Sequence, residues 1–406
     1  MSSHSPTQVK RRRVFYIPGY DPFHPRRYRE LYRMEAAEQA RVSGYDISLK
    51  PSRKGANFGW QVDAVIDDQS IHTDVEVLVW SDLVRDSMDN SIIATYRQLI
   101  QTAWIYITSG ALFRLMRLRK GPVIAAVYPV GMLIFQLLVA LLIAGLVSAG
   151  IKSILTGILG QVIATAVSLA AFVFVLRWFK SKDGKVFAYY LMHDYAYSAQ
   201  SRGAIPAELE QRMSRFRIMI ADALQSDVDE VLVVGHSSGA HLGISILSDL
   251  LKEQPTPDVP LSFLTLGQVV PMVSFLPDAM RLRADLQYLS TCNDLTWVDV
   301  TAPGDGCSFA LCDPVAVSGV APHNKRWPLI FSAAFTQTLS PERWKELRWR
   351  FFRLHFQYLC AFDRPNDYDY FQITAGPLTL GHRYKDRKPS KSRIETPVNK
   401  HTSIAV

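Results

Sequence analysis

VLVVGHSSGAHLG occupies residues 231–243. Four apolar residues run into Gly235-His236-Ser237-Ser238-Gly239, after which Ala240, Leu242, Gly243, Ile244 and Leu247 continue the pattern. A short uninterrupted apolar run bounded by glycine reads as a strand buried on both faces. The spacing that follows reads as a helix packed by one side. The stretch therefore predicts strand, sharp turn and helix, with Ser237 on the turn. In such a turn strand and helix nearly touch, so side chains at Gly235 and Gly239 would collide. The helix also aims its free N–H groups at the turn, which favours negative charge developing there.

Outward from this point, strands and helices alternate. Residues 14–17, 46–49, 59–66, 75–80, 261–266 and 295–300 read as strands. Residues 26–42, 186–200, 206–225 and 278–289 read as helices, the first ended by Gly44 and the third begun by Pro206. Such alternation predicts an α/β fold, a mostly parallel sheet with helices on both faces. Residues 341–360 are aromatic and basic and fit neither period. Residues 384–406 are rich in lysine, arginine, serine and proline and read as a disordered basic tail.

A long apolar stretch interrupts the pattern. Residues 91–118 look helical and feed it. From Gly121 to Leu176 the only charged side chain is Lys152. Segments at about 122–148 and 153–177 each exceed the roughly 20 residues that cross a bilayer core, and SAGIKS (148–153) offers a turn between them. Residues 111–180 are thus expected to form a two-helix transmembrane hairpin. It would be inserted into one domain built from residues 1–110 and 181–383. Ala140, Ala144 and Ser148 in one span, and Gly160, Ala164 and Ser168 in the other, would let the helices approach closely. Arg114, Arg117, Arg119 and Lys120 precede the hairpin, and Arg177, Lys180, Lys182 and Lys185 follow it. The positive-inside rule then puts the soluble domain and both termini on the cytoplasmic side of an inner (plasma) membrane.

Composition agrees with that placement. Of 406 residues 48% are hydrophobic and 20% charged, with a net charge of +8. Two basic clusters flank the apolar stretch, which points to the lipid bilayer as partner, and no nucleic-acid-binding module is recognisable. Cys292, Cys307, Cys312 and Cys360 form no paired metal-ligand spacing, and so few cysteines suit a reducing compartment. His236 and His241, five apart on a helix, do not share a face. Neither a metal nor an organic cofactor is expected.

The strand–GHSSG–helix unit resembles the nucleophile elbow of the α/β-hydrolase family, in its lipase-like GHSxG form. The resemblance covers most of the chain outside residues 91–185 and the tail. It implies an α/β-hydrolase-like fold and a triad in the order serine, acid, histidine. Ser237 would be the nucleophile. The oxyanion hole would use the amide of Ser238 and a second amide from VFYIPGYDP (14–22), that of Tyr20. Pro18-Gly19 stands where many lipase-like members have His-Gly. The acid is expected on a loop after a late strand, and Asp305 in Pro303-Gly304-Asp305-Gly306 fits, ahead of Asp299 and Asp294. For the histidine, His355, with Tyr358 three residues on, is preferred; His323 is the alternative, and His382 and His401 border or lie in the tail. The implied chemistry is cleavage of an ester or thioester in a small acyl substrate, lipid-like because of the hairpin, without a cofactor. The rival reading is a hydrolase-shaped membrane adaptor that binds a partner or lipid without turnover.

Overall fold

The computed structural model describes residues 8–52, 58–88, 91–254 and 256–405. Its strands are β1 (Arg11–Ile17), β2 (Asp46–Pro51), β3 (Gly59–Ile66), β4 (Gln69–Val77), β5 (Glu230–His236), β6 (Leu261–Leu266), β7 (Leu295–Thr301) and β8 (Leu329–Ser332). They form one sheet in the order β2-β3-β4-β1-β5-β6-β7-β8. The six strands from β4 to β8 along that order are parallel neighbours, while β2, β3 and β4 pair antiparallel. The class is α/β with a mixed, mostly parallel sheet.

The longer helices, with one short one near the site, are α1 (Arg26–Ser43), α2 (Ile92–Thr108), α3 (Ala111–Leu118), α4 (Lys120–Ile154), α5 (Gly157–Ser181), α6 (Ala188–Gln200), α7 (Ala207–Leu224), α8 (Gly239–Glu253), α9 (Met280–Leu289) and α10 (Phe351–His355). Every residue of β5 and β6 is buried, as EVLVVGH and LSFLTL require of strands covered on both faces. One core layer joins Tyr16, Val234 and Leu266 to Tyr28 and Tyr32 of α1. The other joins Phe15, Val233 and Phe263 to Phe216 of α7, Leu247 of α8 and Leu286 of α9. Because β1 pairs with β4 on one side and β5 on the other, the chain reverses direction across the sheet at β1/β5. Crevices at such a reversal, beyond the carboxyl ends of the strands, are where open α/β sheets bind ligands.

Residues between β4 and β5 hold α2–α7. Helices α4 and α5 are long and apolar enough to cross a membrane, with mean hydropathy 2.7 and 2.3 over their most apolar windows. Only 17% and 11% of those windows are buried, whereas a core helix of a water-soluble domain would be covered. They pack on each other through small residues, Ala140, Gly160 and Ala164 being buried.

Four expectations need correction. The turn between the apolar helices falls at Leu155 and Thr156, while SAGIKS (148–153) stays helical. Isolated glycines do not stop a long apolar helix, and the break comes where Gly157 adopts φ +80°. Residues 91–118 are two helices, parted at Gly110 with φ +75°. The strand expected at 75–80 is the end of β4, which starts at Gln69 and pairs with β3 from Gln69 to Glu76. The tail is not a free coil. Ser390 N–H donates to Ile330 O, and Ile394 bridges Leu311 and Asp313. Asn399 Nδ2 donates to the carbonyls of Ser274 and Ser318, and Arg114 reaches Val398 O at 2.9 Å. The tail straps the insertion to the core.

Candidate active site

Ser237 follows β5 at φ +56°, a left-handed conformation that costs a non-glycine residue about 1–3 kcal/mol. The elbow around it has the tight geometry its glycines foretell. A Cβ on Gly235 would lie 2.8 Å from Ala240 Cα, and one on Gly239 would lie 2.1 Å from Ile17 O. Ser237 N–H donates to Leu266 O at 2.9 Å, tying the turn to the end of β6. Ser237 itself stays partly exposed while its neighbours are buried.

The loop after β1 passes directly over this serine. A Cβ on Gly19 would lie 3.0 Å from Ser237 Cβ and 3.4 Å from its Oγ. Trp80 Nε1 holds the loop by donating to Pro18 O at 3.0 Å. Among the hydrogen bonds of the described residues, neither the Tyr20 nor the Ser238 N–H donates to a protein acceptor. Both amides expected to bind an oxyanion are free to do so.

Asp305 and His355, fifty positions apart, meet beyond β7. His355 Nδ1 lies 2.8 Å from Asp305 Oδ2, with both side chains nearly inaccessible. Tyr358 O–H also donates to Oδ2, at 3.0 Å, and Cys307 N–H donates to Oδ1 at 2.9 Å. Burial pushes the Asp305 carboxyl up, but the adjacent His355 and these N–H contacts outweigh it and hold it below the ordinary carboxylate value. The imidazole is wedged beside the residues flanking Ser237. Its Cε1 is 3.1 Å from where a Gly267 Cβ would stand, and its ring centroid is 4.9 Å from that of His236. Burial pushes His236 down to about 3, so it is neutral and donates from Nε2 to His355 O at 3.0 Å. No hydrogen bond joins Ser237 Oγ to His355 among the described residues; such contacts commonly tighten only when substrate is present.

The rival candidates lie elsewhere. Asp299 is buried in β7 and accepts from Thr265 at 2.6 Å. Asp294 is exposed before that strand, and His323 is exposed on a loop. His382 is bonded to Thr379, and His401 lies against Ser109 O.

Sequence reasoning missed three parts. Gly267, at φ +54°, clears room for His355; the leading Leu266-Gly267 after an apolar strand was the available signal. Asp194 in α6 interacts with His355, and withdrawal from water pushes its carboxyl up to about 7; nothing local marks it. Cys307 brings a third donor: Asp305, Cys307 and His355 ligand atoms lie within 4.8 Å of one another. A metal ion held there would compete with the Asp305–His355 hydrogen bond.

The roots of the apolar helices border the same site. Gly121 at the start of α4 packs on Gly306. After α5, the Phe187 ring meets Phe352 of α10 at 5.2 Å, and Tyr190 O–H donates to Tyr20 O at 2.5 Å.

Set against family models, curated proteins and solved structures, the chain matches none.

Proposed function

We propose that this chain is a membrane-anchored serine hydrolase of the α/β-hydrolase type. It cleaves an ester or thioester of a lipid-like acyl substrate, with α4 and α5 spanning the inner membrane and the soluble domain in the cytoplasm. One observation carries the reading: a serine at positive φ on a strand–helix elbow, with a buried aspartate–imidazole pair packed against its neighbours His236 and Gly267.

The arrangement supports the following chemistry. His355 Nε2 takes the proton of Ser237 as Oγ attacks the acyl carbon, while Asp305 holds the Nδ1 proton and steadies the imidazolium. The oxyanion accepts from the Ser238 and Tyr20 amides, each worth on the order of 3 kcal/mol at the transition state. The imidazolium then protonates the leaving alcohol or thiol, and water repeats the sequence on the acyl-enzyme. The lipid-like substrate is supported by the contacts of both hairpin roots with the loops bearing Asp305 and Tyr20 and with α10, which bears His355.

A fluorophosphonate probe tests this. Wild-type protein in membranes should label covalently and Ser237→Ala should not. Failure of the folded wild type to label would overturn the hydrolase reading. The second reading, an adaptor without turnover, draws on the missing Ser237–His355 hydrogen bond; it expects no labelling in either protein.

A further inference from the structure

Helices α2 and α3 carry an outward apolar face that the fold leaves uncovered. On α2, Ile93, Arg97, Ile100, Trp104 and Ile107 follow steps of four and three, so they form one stripe. All five are exposed, Ile100 and Trp104 at 68% each. The opposite side of α2 is fully used, burying Leu99, Ile105 and Tyr106. The apolar stripe is therefore not an unfinished core contact. On α3, Phe113 and Met116 extend the face towards the start of α4.

The height of this face relative to the apolar hairpin can be read from the helices. Tyr96 of α2 donates from its hydroxyl to Leu133 O of α4 at 2.8 Å. Leu133 stands 21 residues before the end of α4 at Ile154, and Trp178 stands 21 residues after the start of α5 at Gly157. In an antiparallel pair these two positions are level. Twenty-one residues at 1.5 Å span about 31 Å, the thickness of a bilayer's hydrocarbon core. Trp178 is exposed and followed by Lys180 and Lys182, the aromatic-then-basic order of a membrane boundary. At Tyr96, helix α2 thus meets the hairpin at the level where the bilayer surface would lie.

We infer that α2 lies on the cytoplasmic leaflet as an interfacial platform, with the Ile100–Trp104 stripe sunk among the upper acyl chains. Arg97, exposed within the stripe, faces the anionic headgroups. An apolar face that carries tryptophan and a cation fits a helix lying in the interface. Lipid is the occupant because the stripe is continuous with the apolar hairpin and set at its boundary. The platform fixes the tilt of the domain, so that the site bordered by the hairpin roots opens at the leaflet and not into the cytosol. This inference rests on α4 and α5 being membrane spans; it does not need the hydrolase chemistry.

The test is tryptophan quenching in the full-length protein, reconstituted in vesicles of neutral and anionic phospholipid brominated near the glycerol end of the acyl chains. Trp104→Phe and Trp178→Phe are both conservative. The inference expects each variant to lose a separate part of the lipid-quenched emission seen in wild type. If Trp178→Phe loses it and Trp104→Phe does not, the spans stand and the platform is overturned. If neither loses it, the spans fail and the platform with them. Formation of a disulfide-linked pair by Ile100→Cys, with Trp104 unquenched, would mean that a second copy covers the face, and would also overturn the inference.

Discussion

His355 Nδ1 and Asp305 Oδ2 are 2.8 Å apart in surroundings that admit almost no water. The carboxylate fixes which nitrogen of the ring carries the proton. With Nδ1–H committed to Asp305, Nε2 keeps its lone pair, as the proposed base requires. Asp305→Asn should leave the fold intact and lower kcat for a chromogenic ester by about ten-thousand-fold, as loss of the correct tautomer does elsewhere. His355→Ala should do at least as much. His323→Ala should stay within twofold of wild type, because His323 is exposed on a loop. Steady-state rates on the three purified variants check this, and a slow His323 variant with a fast His355 variant would reassign the base.

Gly19 and Ser237 leave no room between them. An alanine at 19 would place its Cβ 3.0 Å from Ser237 Cβ, closer than side chains sit, so the loop must lift by a few tenths of an ångström. That shift carries the Tyr20 amide away from the proposed oxyanion position. Gly19→Ala should therefore lower kcat by about a hundredfold, the usual cost of one oxyanion donor, with KM nearly unchanged. Unaltered kcat would remove Tyr20 from the oxyanion hole.

What the sequence made legible follows from what is local. The elbow was readable because strand, turn and helix are set by neighbours in the chain: Val231, Val233, Gly235, Gly239 and Leu242 each contribute through spacing alone. The place of Asp305, on a turn past β7, is legible because Pro-Gly-Asp-Gly follows an apolar strand; its pairing with His355 is not. Order along the chain leaves four histidines open, and His355 stands out by Tyr358 three residues on, but its setting is hidden. Residues 341–360 break into Pro341–Leu347, α10 and a 3-10 turn at Gln357–Leu359, so the histidine ends a short helix. Asp194 was invisible, since its meaning comes from α6 packing beside residues far along the chain. The tail misled through its composition. Ile394, Val398 and Asn399 are spaced to fill sites on the core, which an average over lysines and arginines conceals. The four-residue β8 carries too few positions for any periodicity.

Asp299 ties stability to pH. Burial pushes its carboxyl up to about 8, partly offset by the hydrogen bond from Thr265, and its Oδ2 has no partner. In the unfolded chain the value is about 3.9. Between about pH 4 and pH 8 the folded protein therefore keeps a proton that the unfolded chain releases. The stability gained is complete below about pH 4 and is lost as pH rises towards 8, by at most about 1.4 kcal/mol per unit. Asp299→Asn keeps an acceptor for Thr265 and removes the titration. Its Tm should gain on that of wild type as pH is raised from 5 to 8.5, as thermal unfolding in detergent would measure. Parallel curves would mean that Asp299 ionises normally in the fold.

The elbow also predicts a trade between stability and activity at Ser237. The φ of +56° is disfavoured for any residue with a Cβ and nearly free for glycine. Ser237→Ala removes the nucleophile but keeps the strain, so it should unfold close to wild type. Ser237→Gly removes both, and it also loosens the unfolded chain, which offsets part of the relief. The balance favours the glycine variant over the alanine variant by about 1 kcal/mol. Both variants should be inactive, and only one should be stabilised, in matched unfolding curves. Were alanine the more stable, the backbone at 237 would be relaxed in the native protein. The serine would then sit on an ordinary turn, without the strain expected of a site kept for catalysis.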